Sequence, residues 1–560
     1  MKKNIFKWSL LLIFPFLITG CSDFLDEEPL ASSSKENYYR TSYQLQEALN
    51  GVYDILQSNL YNNCEWIFGE ACGDDVLGND ESTANQIAEL VNFRFNTSNN
   101  WILNRYTVNY RGINRANQVI ANVNKVKLAS NDYGNYTTVR EILGQAKFLR
   151  AMFYFNLVKT YGGVPIRPET ESINNLVIPR STKEEVYAYI EKDLREAAIM
   201  LQPKYTDGNL GKAGRGSVVG LLMKVLMYQA TSGVQSEKWE ELVELGDYFV
   251  TGKTMTLGDI LQFEEKYDED WESFRKRLWF KPAAISAATD PIETPTTELG
   301  AIVNQFGVEY TGIYGDALNY WEIFTQKGEF YRGSVFEVMF RESADGTTND
   351  QNEGTGIIQD IYATRMWTSP TLYDVIKNDP RVGQVIARHA SATPDGERVE
   401  SVENRYVCLK WYTPKRERPL YTDDYAKNRR VMRYSEVLLM YAEGLNECGR
   451  GADALVQLNK VKNAANKITS SATLYTSGGY GYMRDQIWAE RRLELCHEWD
   501  RFFDIVRQGR AAKIFRAFAS ESATTHKRGQ YFVEGVNEIF PIPQTEVDLS
   551  NGVITQNPGY

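Results

Sequence analysis

Three histidines, His389, His497 and His526, are the whole imidazole stock of a 560-residue chain, so triad or histidine-ligated metal chemistry has few places to form. The densest cluster is Cys496, His497 and Asp500, inside what the surrounding pattern reads as one long helix. Cys496 and His497 are chain neighbours and leave a helix in different directions, so they do not converge on a metal or a nucleophilic step. Arg491, Arg492, Glu494, Glu498 and Arg501 around them read as ion pairs along a partly buried helix. Glycoside hydrolysis needs two carboxylates at a set separation, and among 73 acids no local arrangement singles out a pair. GKAGRGS lacks the Lys-Ser/Thr ending of a phosphate loop, DGTTNDQNEG misses calcium-loop spacing, and no C-x-x-C is present. The expectation is a chain that is not an enzyme and holds no cofactor and no metal.

Binding chemistry is better supplied. With 34 Tyr and 11 Trp, the chain has many side chains that combine a flat apolar face with a polar edge, as amphipathic ligands such as sugars require. Core packing must take most of them. A net charge of −11 argues against nucleic acid and against an electrostatic grip on anionic lipid. Cys64 and Cys72 lie close in a polar stretch and could bridge in an oxidising compartment, whereas Cys408, Cys448 and Cys496 sit in apolar surroundings as buried small residues.

The N-terminus says where such binding would happen. Lys2, Lys3 and Lys7 precede an apolar run from Trp8 to Ile18, too short to span a bilayer comfortably, and Leu17-Ile18-Thr19-Gly20-Cys21 has the form of a lipobox. Residues 1–20 are expected to be a lipoprotein signal peptide and Cys21 the lipidated residue, with two or three acyl chains giving stable anchoring. Removing three lysines and no acid would take the net charge to −14. The acidic run after Cys21 reads as a solvated tether.

The elements that must position a binding surface are mostly helices. In residues 139–162, Ile142, Ala146, Leu149, Phe153 and Leu157 recur at three- and four-residue steps, and Gly162 and Gly163 end the run. Ser181 and Glu184 have capping-box spacing before the next helix. Paired helices with short turns suggest tetratricopeptide-like stacking or a plain helical bundle, and in either case each pair buries its apolar face against its neighbours. Residues 254–428 change texture: KPAAISAATDPIETPTTELG cannot be a long helix, and GSVFEVMFRES alternates as a strand. Helices return with RRVMRYSEVLLMYAEGLNECG, ADALVQLNKVKNAAN and MRDQIWAERRLELCHEWDRFFDIVRQGRA, before a proline-bearing tail expected to run extended. The expected organisation is residues 21–253 helical, 254–428 loop-rich and ligand-facing, and 429–560 helical with a tail, all one structural unit.

Several stretches in this order resemble the SusD/RagB-like nutrient-binding lipoproteins of Bacteroidetes: CSDFLDEEP, EALNGVYDIL, RGINRANQVIANV, EILGQAKFLRAMFYFNLVKTYGGVPI, RYSEVLLMYAEGLNE, ERRLELCHEWDRFFDIVRQG and FPIPQTEVDLSNGVITQNPGY. The resemblance implies a mainly α, tetratricopeptide-like scaffold with irregular excursions. It also implies a protein lipid-anchored at the outer membrane and facing the exterior, which captures oligosaccharide or polysaccharide for a SusC-like TonB-dependent transporter. One departure is CHEWDRFF, where Trp499 and Asp500 stand in a region in which the family more often has Glu-Gly, implying altered packing there.

In the family the ligand surface uses an early loop and the middle excursions, here YNNCEWIFGEACGDDVLGND and NQFGVEYTGIYGDALNYWEIF. On that basis Trp66, Tyr310, Tyr314, Tyr320 and Trp321 are the expected stacking residues, with Asp74, Asp75 and Asn319 for hydroxyls and Trp101 and Trp367 in reserve. A peptide-capturing lid of the RagB type is the alternative. A glycoside hydrolase or a protein-only scaffold accounts less well for anchor, aromatics and tail together.

Overall fold

The first helix, α1 (Ser42–Gln57), begins where a capping box closes its free N–H groups: Gln44 N donates to Thr41 Oγ1 and Thr41 N to Gln44 Oε1, each at 3.2 Å. Leu45, Leu49, Val52 and Leu56 then bury one face. The computed structural model describes residues 38–78, 86–126, 133–170, 176–230, 236–251, 319–342, 366–399, 405–419, 425–469, 473–521 and 528–560. The signal segment, Cys21, Tyr310, Tyr314, the Pro/Thr-rich stretch, the DGTTNDQNEG loop and His526 lie outside the described residues.

After α2 (Asn59–Trp66) the chain makes one π-helical turn, Ile67–Ala71, and a short strand, β1 (Val76–Gly78). There follow α3 (Gln86–Val91), α4 (Asn100–Asn122), α5 (Tyr133–Tyr161), α6 (Lys183–Met200), α7 (Arg215–Ala230) and α8 (Ser236–Thr251). From α4 onward each helix packs on the next, the expected stack of paired helices. The capping box of α6 is Thr182 with Glu185, one residue beyond the expected Ser181–Glu184 pair. Helix α5 stops as expected, because Gly162 turns the backbone to a φ of +72°. α7 is buried all round, since α6, α8 and the Tyr434–Glu447 helix all pack on it.

The middle region is stapled to this frame by β2 (Ser334–Val338), which pairs antiparallel with β6 (Arg429–Arg433). RRVMR is therefore a strand, not the start of a helix. The helical segments Tyr434–Glu447, Gly451–Thr469 and Tyr480–Leu495 follow, and Arg501–Arg507 comes after a sharp turn. That turn corrects the reading of one continuous helix through 496–500. His497 and Trp499 take left-handed φ values of 62° and 70°, which no helix accommodates. The tail is not wholly extended, as Gln544–Leu549 is helical, and Asn557 pins it by donating to Tyr161 O at 2.9 Å and Phe540 O at 2.7 Å.

The turn fits tightly against the π-helical segment. A Cβ on Gly69 would lie 1.8 Å from the carbonyl oxygen of Trp499. Backbone cannot yield as a flexible side chain does, so Gly69→Ala is expected to lower stability by about 3 kcal/mol. A urea-unfolding midpoint equal to that of the parent protein would refute the close approach.

Candidate functional site

Asp74 and Asp75, just ahead of β1, are clamped from behind. Arg501 Nε donates to Asp74 Oδ1 at 2.7 Å, Arg492 Nε donates to Asp75 Oδ1 at 2.8 Å, and Arg492 Nη2 lies 2.9 Å from Asp74 Oδ2. Burial pushes the Asp74 carboxyl upward, but Arg492 and Arg501 outweigh it and hold the group well below the usual carboxylate range. With the carboxylates so fixed, the backbone beside them becomes a rigid template. Asp75 O accepts from Ser369 N at 2.8 Å, Asp74 O accepts from Ser369 Oγ at 2.7 Å, and β1 pairs antiparallel with β3 (Met366–Thr368). Ser369 also caps the Pro370–Ile376 helix through Leu372 N. Thr368 Oγ1 lies 3.1 Å from His497 Nε2, and His497 Nδ1 lies 3.2 Å from Glu70 Oε1. The strained turn at His497 is thus what ties β3 to the π-helical segment.

This ribbon carries Trp367, opposite Leu77 and half-buried. The Arg405 guanidinium stacks 3.8 Å from the centre of its ring. Arg405 leads into β5 (Tyr406–Cys408), which pairs with β4 (Ile386–Arg388). Tyr406 stacks on Tyr373 with centroids 3.9 Å apart and planes at 20°, and Arg388 donates to the Tyr406 hydroxyl at 2.6 Å. The side-chain hydrogen bond to Tyr406 raises the Tyr373 phenol above its ordinary value. Trp367 and Tyr406 on the two short ribbons, Tyr373 on the Pro370–Ile376 helix and the two guanidiniums beside them offer apolar faces for C–H surfaces and donors for hydroxyl oxygens.

One layer below lies Trp321, fully buried among Ala387, Val399, Val407, Leu409 and Tyr412, its Nε1 donating to Leu409 O at 3.1 Å. Tyr320 anchors a neighbouring core with Phe324, Leu372, Ile376 and Leu493, and its hydroxyl donates to Glu494 O.

Comparison with known proteins bears on this arrangement. The model described as the SusD family matches residues 372–560, and a SusD-like model described as "Starch-binding associating with outer membrane" matches residues 23–226. The chain belongs to the SusD-like family. It is 23% identical to SusD-like protein P2 of Formosa agariphila, with all of both chains covered, and 23% identical to SusD-like protein P38 of the same organism over 91% of this chain and 93% of that one. Its fold is similar to that of a laminarin-binding SusD-like protein, with a TM-score of 0.66, 23% identity and coverage of 93% and 100% of the two chains. It is also similar to surface glycan-binding protein A of Bacteroides thetaiotaomicron in complex with laminarihexaose, with a TM-score of 0.66, 20% identity and coverage of 92% and 99%. The mainly α SusD-like architecture expected from the sequence is the one observed.

The expected ligand contacts need correction. Trp66, Asp74, Asp75, Tyr320 and Trp321 are all buried and engaged internally, Trp66 through a hydrogen bond from its Nε1 to Asn63 Oδ1. A side chain enclosed in this way presents no face to a ligand. Asn319 is exposed, but its Oδ1 accepts from Glu322 N at 2.9 Å and caps the 3-10 turn Glu322–Phe324. Trp101 is half-buried against the core at the start of α4, and of the reserve pair Trp367 is the one on the aromatic face. Sequence reading missed Tyr373, Arg388, Arg405 and Tyr406. The short alternation around Tyr406 was the only available signal, and it is too brief to mark a strand. Cys64 and Cys72 are both free and buried, so the suggested bridge is not formed, and burial pushes each thiol up to about 12.

Proposed function

We propose that this SusD-like chain is a surface lipoprotein that captures an oligosaccharide or polysaccharide and delivers it, uncleaved, to a SusC-like TonB-dependent transporter. The observation that carries the reading is the half-buried indole of Trp367 with Arg405 stacked upon it, mounted on a ribbon that buried ion pairs make rigid. A preorganised aromatic face binds sugar rings at small ordering cost. Capture before import favours such a site, because the ligand must be released again. Retention at the outer membrane through lipid on Cys21 is supported by the lipobox and by the description of the matching family model, and capture before import would require the body to face outward. Among the described residues no helix is long and apolar enough to cross a membrane, so the lipid would supply the anchorage. Binding without hydrolysis is supported by the fate of two of the expected hydroxyl partners: Asp74 and Asp75 are committed to arginines and so do not serve as a hydrolytic pair.

Two structural neighbours are described with laminarin or laminarihexaose, which makes these the first ligands to try. Calorimetry of the full-length protein in detergent is expected to give saturable binding of one glycan in a panel that includes them. Trp367→Ala is expected to weaken it by about tenfold or more. Product analysis of the same samples should recover intact glycan. Glycan binding indifferent to Trp367→Ala and Tyr406→Ala would remove the face from the reading, saturable binding of peptides alone would replace the ligand class, and cleaved products would end the non-catalytic assignment.

A further inference from the structure

Helix α4 borders a second concavity that the Trp367 face does not use. Tyr106, Tyr110, Arg111 and Asn114 of α4 line a groove of about 340 Å3 that Arg167 and Glu546 complete. Its floor is aromatic: the half-buried Tyr110 is backed by the buried Tyr106, the two rings 4.6 Å apart and tilted by 46°. The Tyr110 hydroxyl donates to Pro165 O at 2.7 Å, which fixes that ring in place. Arg167 is steadied from one side only, Nη1 donating to Leu176 O at 2.7 Å. Arg111 and Asn114 are exposed and make no hydrogen bond or ion pair with any described residue. Burial raises the Glu546 carboxyl above its ordinary value while Arg167 opposes the shift, so the groove is partly shielded from water.

The volume lies at the lower end of ligand pockets, about 300–1,000 Å3, which suits one or two sugar rings better than a long chain. Two guanidiniums against one carboxylate make the groove locally cationic on a chain whose net charge is −11. A small free anion would satisfy the guanidiniums and leave the tyrosine floor bare. A neutral sugar would cover the floor but displace water from guanidiniums and give them no charged partner. A sugar bearing an anionic substituent answers both demands, with its ring against the half-buried Tyr110, its anion on Arg111 and Arg167, and a hydroxyl donating to Glu546. We propose that this groove is a separate binding site for a mono- or disaccharide carrying a carboxylate or a sulfate ester.

The site stands independently of the Trp367 reading, and one titration separates them. The full-length protein in detergent is titrated calorimetrically with a glucuronate-terminated disaccharide, a 6-sulfated galactose disaccharide, their neutral counterparts and inorganic sulfate, as parent and as Arg111→Gln, Arg167→Gln and Trp367→Ala variants. At least one acidic disaccharide is expected to bind about tenfold or more tightly than its neutral counterpart. That preference should vanish in both arginine variants, persist in Trp367→Ala, and weaken as ionic strength rises. Which acidic sugar binds better identifies the substituent. Failure of both to bind, equal affinity for acidic and neutral sugars, inorganic sulfate binding as tightly as either disaccharide, or indifference to Arg111→Gln and Arg167→Gln would each overturn the proposal. Loss through Trp367→Ala would also overturn it, by assigning the binding to the other face.

Discussion

Glu494→Gln is expected to destabilise the fold by about 3 kcal/mol, because it breaks a charge pair in a place that water cannot enter. Glu494 is fully buried near the end of the Tyr480–Leu495 helix and accepts from Arg381 Nη1 and Arg433 Nη1, both at 2.8 Å. One carboxylate therefore joins three parts of the chain: its own helix, strand β6 through Arg433, and the excursion that carries Arg381 and the Pro370–Ile376 helix. The amide keeps the shape but not the charge, leaving two guanidiniums to share Asp379, Glu490 and Glu498. The same pairing dictates a pH dependence. Burial alone would raise this carboxyl, but Arg433 and Arg381 pull it from 4.5 down to about 2. A group depressed in the folded state contributes its full stability above its unfolded value and loses it as pH falls toward the folded value. Stability of the parent protein should thus fall between about pH 4.5 and pH 2, and the Gln variant should show a shallower fall over that window. Urea midpoints at pH 7 and through this range test both statements, and equal midpoints at pH 7 would refute the first.

Where a reading depends on local spacing, the sequence and the structure agree. The apolar steps of α5 bury Ala146, Leu149, Phe153 and Leu157, and Gly162 ends the helix because a left-handed residue was needed there. The slip of one residue at Thr182 has an ordinary cause, since Ser181 and Thr182 are both good caps and both are followed three residues later by a glutamate. Distant partners defeat such reading. The stretch RRVMR becomes β6 only because β2, some ninety residues earlier, offers it a ladder, and nothing within five residues reveals this. The 496–500 turn is equally hidden, because non-glycine residues rarely take positive φ, and His497 and Trp499 do so held by Thr368, Glu70 and the stacked ring of Trp411.

For the candidate site, residue type did not reveal depth. Residue type says that Trp321 can stack on something but not whether that something is a sugar or Val407 and Leu409. The outer layer is assembled from Trp367, Tyr373, Arg388, Arg405 and Tyr406, which come from segments brought together by the β1–β3 and β4–β5 pairings and by the packing of β3 on β5. Each of those strands is three residues long, below the length at which alternation carries information.

The depth question has a decisive experiment in Asp74→Asn. Were Asp74 a ligand contact, the substitution would cost a hydrogen bond to a hydroxyl, lowering glycan affinity and leaving the fold as stable as before. The structure leads to the opposite order of effects. Asp74 is nearly fully buried and carries the charge that Arg501 and Arg492 meet at 2.7 and 2.9 Å, so the amide is expected to lower stability by about 3 kcal/mol. Its backbone carbonyl holds Ser369, the residue that both extends the β1–β3 pairing and caps the following helix, so loosening the clamp should also let Trp367 drift. Affinity should then fall as a consequence of the fold, and the loss should be relieved at low temperature or by an independent stabilising substitution. Urea unfolding and glycan calorimetry on the same preparation distinguish the cases. Reduced affinity with an unchanged unfolding midpoint would return Asp74 to the ligand surface, whereas a large drop in midpoint accompanied by recoverable affinity places its carboxylate in the support beneath Trp367.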